Sequence, residues 1–364
     1  VSLVVFPFKR EDISVVERNL ATAARHDIVD EVWAVAAAED ATMGEVATIA
    51  KEMSSDIPIR VFPQERKGSF RPGKGDGMNT AIAMSAERGF ARTHFYDADI
   101  TNFDGSWIEG AESAADRGYG VVRHRFPRAA TDAMITWMIT RPGLAMLFPG
   151  TLLPRLGQPL GGELLLSADA VEALASDPFV TARSDWGIDT VITHATSTLD
   201  TLIYEHNVAD GKRHALYGSL AEIRDMVLEC LDAVASLAGR ASPGAVIRAD
   251  PPAPVPSDLK EMTAYDLEST RREISEPPDT AEREVLARIG VGENELDEGR
   301  WGVVVGRLLS DFELGDPAWE SAVFRLWVSR VIHYTTHQVP LGYDEAISYL
   351  EETIRRYERF TDLR

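Results

Sequence analysis

Cysteine is almost absent from this chain of 364 residues, where Cys230 stands alone. No disulfide can form within the chain, and the compartment this implies is a reducing cytoplasm. Positive charge is scarce as well: 37 Lys and Arg face 58 Asp and Glu, for a net charge of -21. That balance argues against a nucleic-acid partner, whose phosphates are held by lysine and arginine. It leaves room for a small phosphorylated ligand, because one basic loop and a bound cation can reverse the field inside a single cleft. Long apolar runs are missing too. No stretch reaches the length needed to cross a bilayer, and the opening run Val1 to Lys9 is too short for a signal peptide and lacks a basic segment. A soluble cytoplasmic protein without a membrane partner is expected. Apolar surface, in contrast, is plentiful: 45% hydrophobic against 26% charged residues suffices for one large domain and a smaller one.

The first hundred residues alternate between two periods. Residues 2–8 read as a buried strand, and Glu11 and Asp12 open an amphipathic helix through Val15, Val16, Leu20 and Ala24. Strands are predicted at 31–37, 57–62 and 93–96 and helices at 43–53 and 78–90, with a glycine-rich loop at 67–77. Strands alternating with helices across short connections predict a parallel sheet covered on both faces. In such sheets ligands bind beyond the carboxyl ends of the strands. Lys9, Ala37, Gln64 and Asp97 all fall at such ends, so four strand ends converge on one crevice.

From residue 118 the alternation loosens. Strands are predicted at 120–125, 163–166 and 199–204 and helices at 132–147, 184–194 and 216–239. The run Pro251-Pro252-Ala253-Pro254-Val255-Pro256 can continue neither ladder and reads as a stiff connector. After about residue 279 the pattern is helical throughout, with Trp301, Trp319, Trp327, Tyr334 and Tyr349 on apolar faces. The division expected is an α/β catalytic domain over 1–217 and a helical domain over 218–364. The second would contain the Pro-rich connector near 241–279 and would serve packing or homo-oligomerisation.

Asp97-Ala98-Asp99 carries the most chemical information. In so acidic a chain a D-x-D arises by chance about twice, so its position carries the weight. It follows the run His94-Phe95-Tyr96, and a buried strand delivering two carboxylates to its end suits a hard divalent cation shared with substrate phosphates. Upstream, Arg66 to Gly77 combines glycines, cations and a helix entry. Backbone amides at a helix N-terminus attract phosphate and Lys74 adds a point charge; the competing reading is a surface loop with solvated charges. His214, in Gly211-Lys212-Arg213-His214, is either a surface side chain or a ligand for a metal such as Mn2+. Asp185-Trp186-Gly187-Ile188-Asp189 opens a helix. Asp185 suits the helix dipole, Asp189 could face the crevice, and Trp186 could seat a sugar ring. Leu160-Gly161-Gly162-Glu163 offers small residues that admit a ligand to the backbone. Arg128, near Thr131 and Thr136, could grip a carboxylate or merely coat a surface.

In combination these segments resemble the mannosylglycerate synthase family. The stretches that carry the likeness are Phe6-Pro7-Phe8-Lys9-Arg10-Glu11, Phe70 to Asn79, Phe95 to Ile100, Leu160 to Glu163 and Asp185 to Asp189. The resemblance implies a GT-A fold, a Rossmann-like mixed sheet with an α-helical C-terminal domain. It also implies retaining transfer of mannose from GDP-mannose to the 2-hydroxyl of D-glycerate. By the same resemblance a divalent cation (Mn2+ or Mg2+, with Ca2+ as a third candidate) is ligated by Asp99 and His214. Pro7, Lys9, Glu11, Gln64, Lys74, Asp97 and Tyr217 are implied for the donor, and Arg128, Thr136, Leu160, Gly161, Trp186 and Asp189 for the acceptor. Lys74 and Asp189 are implied for catalysis. Competing expectations are a glucosylglycerate-type transferase, a sugar nucleotidylyltransferase and a binding protein with a degenerate site.

Overall fold

Short runs of β-branched and aromatic residues supply the strands, and a single sheet collects them. In the computed structural model, which describes residues 1–214, 219–291 and 296–360, the strands are β1 (Ser2–Pro7), β2 (Val29–Ala36), β3 (Ile59–Pro63), β4 (Arg92–Phe95), β5 (Val121–Arg125), β6 (Leu164–Ser167), β7 (Leu202–Asn207) and β8 (Val246–Ala249). Their order across the sheet is β3-β2-β1-β4-β6-β5-β7-β8. β1 is apolar on both faces, and Leu3, Val4 and Val5 are fully buried, as a central parallel strand requires. Helices α1 (Ile13–Ala24), α2 (Met43–Glu52), α3 (Lys74–Arg88) and α4 (Gly105–Asp116) make the crossovers. Asp12 and Asp104 cap α1 and α4, each accepting from a backbone N–H two residues on at 2.8 Å.

Two features of this topology position the site. α3 carries the chain from β3 at one edge back to β4 beside β1, so the strand order reverses between β1 and β4. A crevice opens at their carboxyl ends for that reason. β6 runs antiparallel to both β4 and β5, whereas the remaining neighbours are parallel. Its amino end therefore lies at the edge where the other strands finish. The register Phe95↔Leu164, continued by two residues, sets Gly162 and Glu163 beside Tyr96 and Asp97.

Several predicted boundaries shift for local reasons. α3 begins at Lys74 rather than near Met78, because Gly73 caps it, so Lys74 belongs to the helix and not to the loop. The helix expected over 132–147 is a π-helical turn, Thr136–Thr140, continued by Arg141–Leu147. The helix expected from Ser184 starts at Ile188, since Asp185 first accepts from the Gly187 N–H at 2.9 Å. β8 falls inside the stretch read as a connector and is largely exposed, so it left no apolar pattern.

By its internal contacts the chain divides into two discontinuous units: residues 1–127, 160–215 and 244–254, and residues 128–159, 216–243 and 255–364. The first holds the whole sheet. Its core is aromatic at the carboxyl end, with Phe6 edge-on to Phe103 and Trp107 against Phe126. The second is helical and buries Trp301, Trp319, Trp327 and Tyr334. There Trp301 Nε1 donates to the Met138 carbonyl at 2.6 Å. The buried Arg141 makes a two-pronged pair with Glu351, both bonds at 2.9 Å. No helix among the described residues is long and apolar enough to cross a membrane.

Candidate active site

Lys74 occupies the first turn of α3, where the helix dipole disfavours a cation. Carboxylates offset that penalty. Lys74 Nζ lies 2.9 Å from Asp97 Oδ1 and 3.0 Å from Asp189 Oδ2, and its ammonium sits 5.5 Å from the Trp186 ring centroid. Burial alone would lower the Lys74 pKa, but Asp189, Asp97 and Glu163 outweigh it and hold the amine well above its usual range. Burial likewise opposes ionisation of Asp97, and Lys212 and Lys74 overcome it, pulling that carboxyl well below the usual range. Asp189 is raised by its own burial, partly offset by Lys74. The result is a fixed, desolvated cation held between two carboxylates beside an indole face, at the carboxyl end of β4.

A second cation completes the cluster. Lys212 Nζ is 2.6 Å from Asp97 Oδ2 and 2.5 Å from Glu163 Oε1. Burial pushes Glu163 up to about 7 against the pull of Lys212, with Asp97 adding to the rise. The sequence reading used Gly211 to His214 only for His214, and Leu160 to Glu163 only for its small residues. Lys212 and Glu163 were therefore missed, although the antiparallel register of β6 dictates the second.

The glycines serve close approach. A Cβ on Gly162 would stand 2.4 Å from Lys74 Nζ and 2.8 Å from Asp97 Oδ1. Gly68 and Gly75 do something other than cradle a phosphate. A Cβ on either would meet the Ala182–Ser184 backbone at 2.4 Å, and Ser69 N donates to the Ala182 carbonyl at 2.9 Å. Asp76 takes the Lys67 and Gly68 amides at 2.9 and 3.0 Å and the Arg66 guanidinium at 2.6 Å. The Lys67 and Gly68 amides are thus engaged by Asp76 within the loop and the Ser69 amide by the Ala182 carbonyl, so the phosphate contact expected at this helix entry falls to Lys74 and its neighbours.

The other predicted donor residues distribute unevenly. A Cβ on Gly77 would lie 3.3 Å from Gln64 Oε1 and 3.7 Å from Pro7 Cβ, so these two residues flank the start of α3. Glu11 accepts from the Lys9 amide, and burial together with Asp99 and Asp97 raises its pKa to about 7. The Lys9 side chain is exposed. Gly161 turns its carbonyl to Arg123 Nη2 at 3.1 Å, and Leu160 stands half-buried beside it. Arg128 and Thr136 belong to the second unit. There Arg128 Nη1 pairs with Asp132 Oδ2 at 2.9 Å, and Thr136 is buried at the start of the π-helical turn. Tyr217 lies outside the described residues.

Asp99 and His214 lie on two loops joined by backbone pairing, with Thr101 N donating to the Arg213 carbonyl at 2.7 Å. Asp99 Oδ1 is buried without a hydrogen-bond partner among the described residues. An orphaned carboxylate oxygen there fits a cation, since burying it unpaired is otherwise costly. Among the described residues no group of three or more His, Cys, Asp or Glu could hold a metal. A cation here would draw the rest of its ligands from substrate and water, as small hard cations do.

Comparison with known proteins identifies the family. Residues 2–236 match the family model described as "Mannosylglycerate synthase, GT domain", and residues 262–354 match "Mannosylglycerate synthase C-terminal domain". The mannosylglycerate synthase of Rhodothermus marinus is 44% identical over 98% of this chain and 94% of its own length. That of Selaginella moellendorffii is 40% identical over 97% and 88%. In fold the chain is similar to glucosyl-3-phosphoglycerate synthase of Mycobacterium tuberculosis in complex with Mn2+, UDP and glucosyl-3-phosphoglycerate. The TM-score is 0.53 at 21% identity, over 66% of this chain and 81% of that one. The sheet order, the β1/β4 crevice and this likeness give the chain the GT-A fold, and with family models covering both of its parts it belongs to the mannosylglycerate synthase family, glycosyltransferases that make glycosides of glycerate.

Proposed function

We propose that this glycosyltransferase moves mannose from GDP-mannose to the 2-hydroxyl of D-glycerate, with retention at the sugar carbon. The observation that carries the proposal is the buried Lys74–Asp97–Asp189 cluster beside Trp186. Departure of a nucleoside diphosphate builds negative charge on the leaving phosphate and positive charge on the sugar. Lys74, kept cationic by its carboxylates, stabilises the first without reorganising at the moment of reaction. Asp97, ionised despite burial, accepts from the donor's hydroxyls, and the Trp186 face seats the apolar side of a sugar. Asp189, held by Lys74, stands beside the reacting sugar and acceptor. Pro7, Lys9, Glu11 and Gln64 are assigned to the donor, Arg128 and Thr136 to the glycerate carboxylate, and Leu160 and Gly161 to the acceptor.

Asp99 and His214 are assigned to a divalent cation, Mn2+ or Mg2+, which when bound supplies Lewis-acid neutralisation of the donor diphosphate. The orphaned Asp99 oxygen supports that assignment. The decisive assay is GDP release from GDP-mannose with and without D-glycerate, with Mn2+ or Mg2+ and then with EDTA, followed by NMR of the anomeric proton. Glycerate-dependent, chelator-sensitive release of GDP is expected. Release of UDP from UDP-glucose, with no GDP from GDP-mannose, would overturn the donor assignment, and GDP release unaffected by EDTA would overturn the cation.

A further inference from the structure

The loop that bears His214 is stitched to the loop that bears Asp99 by one side chain with two hands. Asn102 Nδ2 donates to the Gly211 carbonyl at 2.8 Å, and its Oδ1 accepts from the Arg213 amide at 2.8 Å. An asparagine amide offers donors on one atom and an acceptor on the other, so both backbone groups are satisfied as a neighbouring strand would satisfy them. Gly211 sits at φ +75°, a left-handed turn that presents the two groups to one amide. On the opposite side the Asp99 loop is fastened from α1, where buried Asn19 Nδ2 donates to the Ala98 and Ile100 carbonyls at 3.1 and 2.9 Å. The Asp99 loop is thus anchored to the body of the unit, and Asn102 transfers that anchorage to residues 211–213.

Thr101 and Lys212 also join the loops. Thr101 pairs with the Arg213 carbonyl through its backbone N–H at 2.7 Å and its hydroxyl at 3.1 Å, and only proline, which also fixes φ, would remove the first. Lys212 reaches Glu163 and Asp97, the second of which donor binding would itself engage. Asn102 touches neither an assigned ligand side chain nor the Lys74 cluster among the contacts described, and it is a tether whose two hydrogen bonds both belong to its side chain, so one substitution removes both.

We infer that Asn102 is a positioning residue for the divalent cation, fixing the His214 loop against Asp99. The inference rests on the proposed cation site. Partners bonded directly to ligating groups are worth 10–100-fold in metal affinity, and Asn102, acting through the loop backbone, is expected at about the lower end of that range.

The test is Mn2+ binding followed by electron paramagnetic resonance, with GDP present and no turnover. Asn102→Ala should weaken Mn2+ binding at least tenfold while GDP binding without metal stays within twofold of wild type. Its turnover should return to the wild-type kcat at saturating Mn2+, a rescue that a general loss of packing would not show. Asn102→Leu, which keeps the branched shape and removes both hydrogen bonds, should behave alike. Mn2+ affinity within twofold of wild type in either variant would overturn the inference. Asp99→Ala, measured beside them, separates the two levels. If it too binds Mn2+ like wild type, the cation site itself is misassigned. If it alone loses Mn2+, only the role of Asn102 falls.

Discussion

Replacing Gly162 with alanine places one methyl group between the two charges that the proposed chemistry depends on. The new carbon would stand 2.4 Å from Lys74 Nζ and 2.8 Å from Asp97 Oδ1. Contact distances between such atoms are about 3.5 Å, so the ammonium must retreat by roughly 1 Å. That movement spoils bonds of 2.9 Å to Asp97 and 3.0 Å to Asp189. Both atoms met are ends of flexible side chains, so the backbone can stay in place and the fold should survive. A displacement of about 1 Å in a positioned catalytic group costs on the order of 100-fold in rate, or about 2.7 kcal/mol of transition-state stabilisation. Steady-state GDP release should therefore show kcat lowered about 100-fold in a protein whose melting curve remains cooperative. Gly44→Ala is the control, since no atom lies within 4 Å of its added carbon, and its rate should match wild type. A Gly162→Ala enzyme with kcat within about threefold of wild type, well short of the 100-fold expected, would refute the role given to the Lys74–Asp97 pair.

Three further outcomes are expected. Asp99→Ala should abolish transfer while leaving the melting temperature near wild type; full turnover in that variant would remove Asp99 from the site. Arg128→Ala should raise the KM for glycerate about 10- to 100-fold, the worth of a charged hydrogen bond, with the KM for donor unchanged; an unaltered glycerate dependence would free Arg128 of its assignment. Acid stability should depend on His124, which is 1% exposed and has no hydrogen-bond partner for either ring nitrogen among the described residues. Burial, then His206 and His94, hold its pKa well below the usual 6.5. The folded protein keeps it neutral while the unfolded chain takes up a proton below 6.5. Stability is therefore full above that pH and falls as the pH drops, by about 1.4 kcal/mol per unit. In urea melts at pH 7 and 5.5, wild type should lose about 1 kcal/mol more than His124→Phe, and equal losses would dismiss the explanation.

Legibility from sequence followed the range of the interactions. The strand ends near Lys9, Ala37, Gln64 and Asp97 were readable because hydrophobic period and punctuation are local, and buried parallel strands leave continuous apolar runs. The start of α3 was misplaced because Gly73-Lys74-Gly75 has poor helix propensity. What holds that turn is distant: Asp97 and Asp189 for Lys74, and the 182–184 backbone for Gly75. The same distance explains the misread glycines. A glycine facing phosphate and a glycine facing another loop's backbone look alike in one dimension.

Taken alone, the sequence determined the class of the first half, the position of the acidic pair after a buried strand, and the family to which the chain belongs. Those properties reside in periods of two and 3.6 residues and in contiguous motifs. Only the tertiary structure decided that β6 runs backwards and brings Glu163 and Gly162 to Asp97. The fold also spends the Lys67 and Gly68 amides on Asp76, leaves an oxygen of Asp99 without a partner among the described residues, and lets Asn102 join two loops. The β6 and Asn102 pairings join residues far apart in the chain, and strand direction and side-chain convergence across such separations are set by packing and not by local pattern.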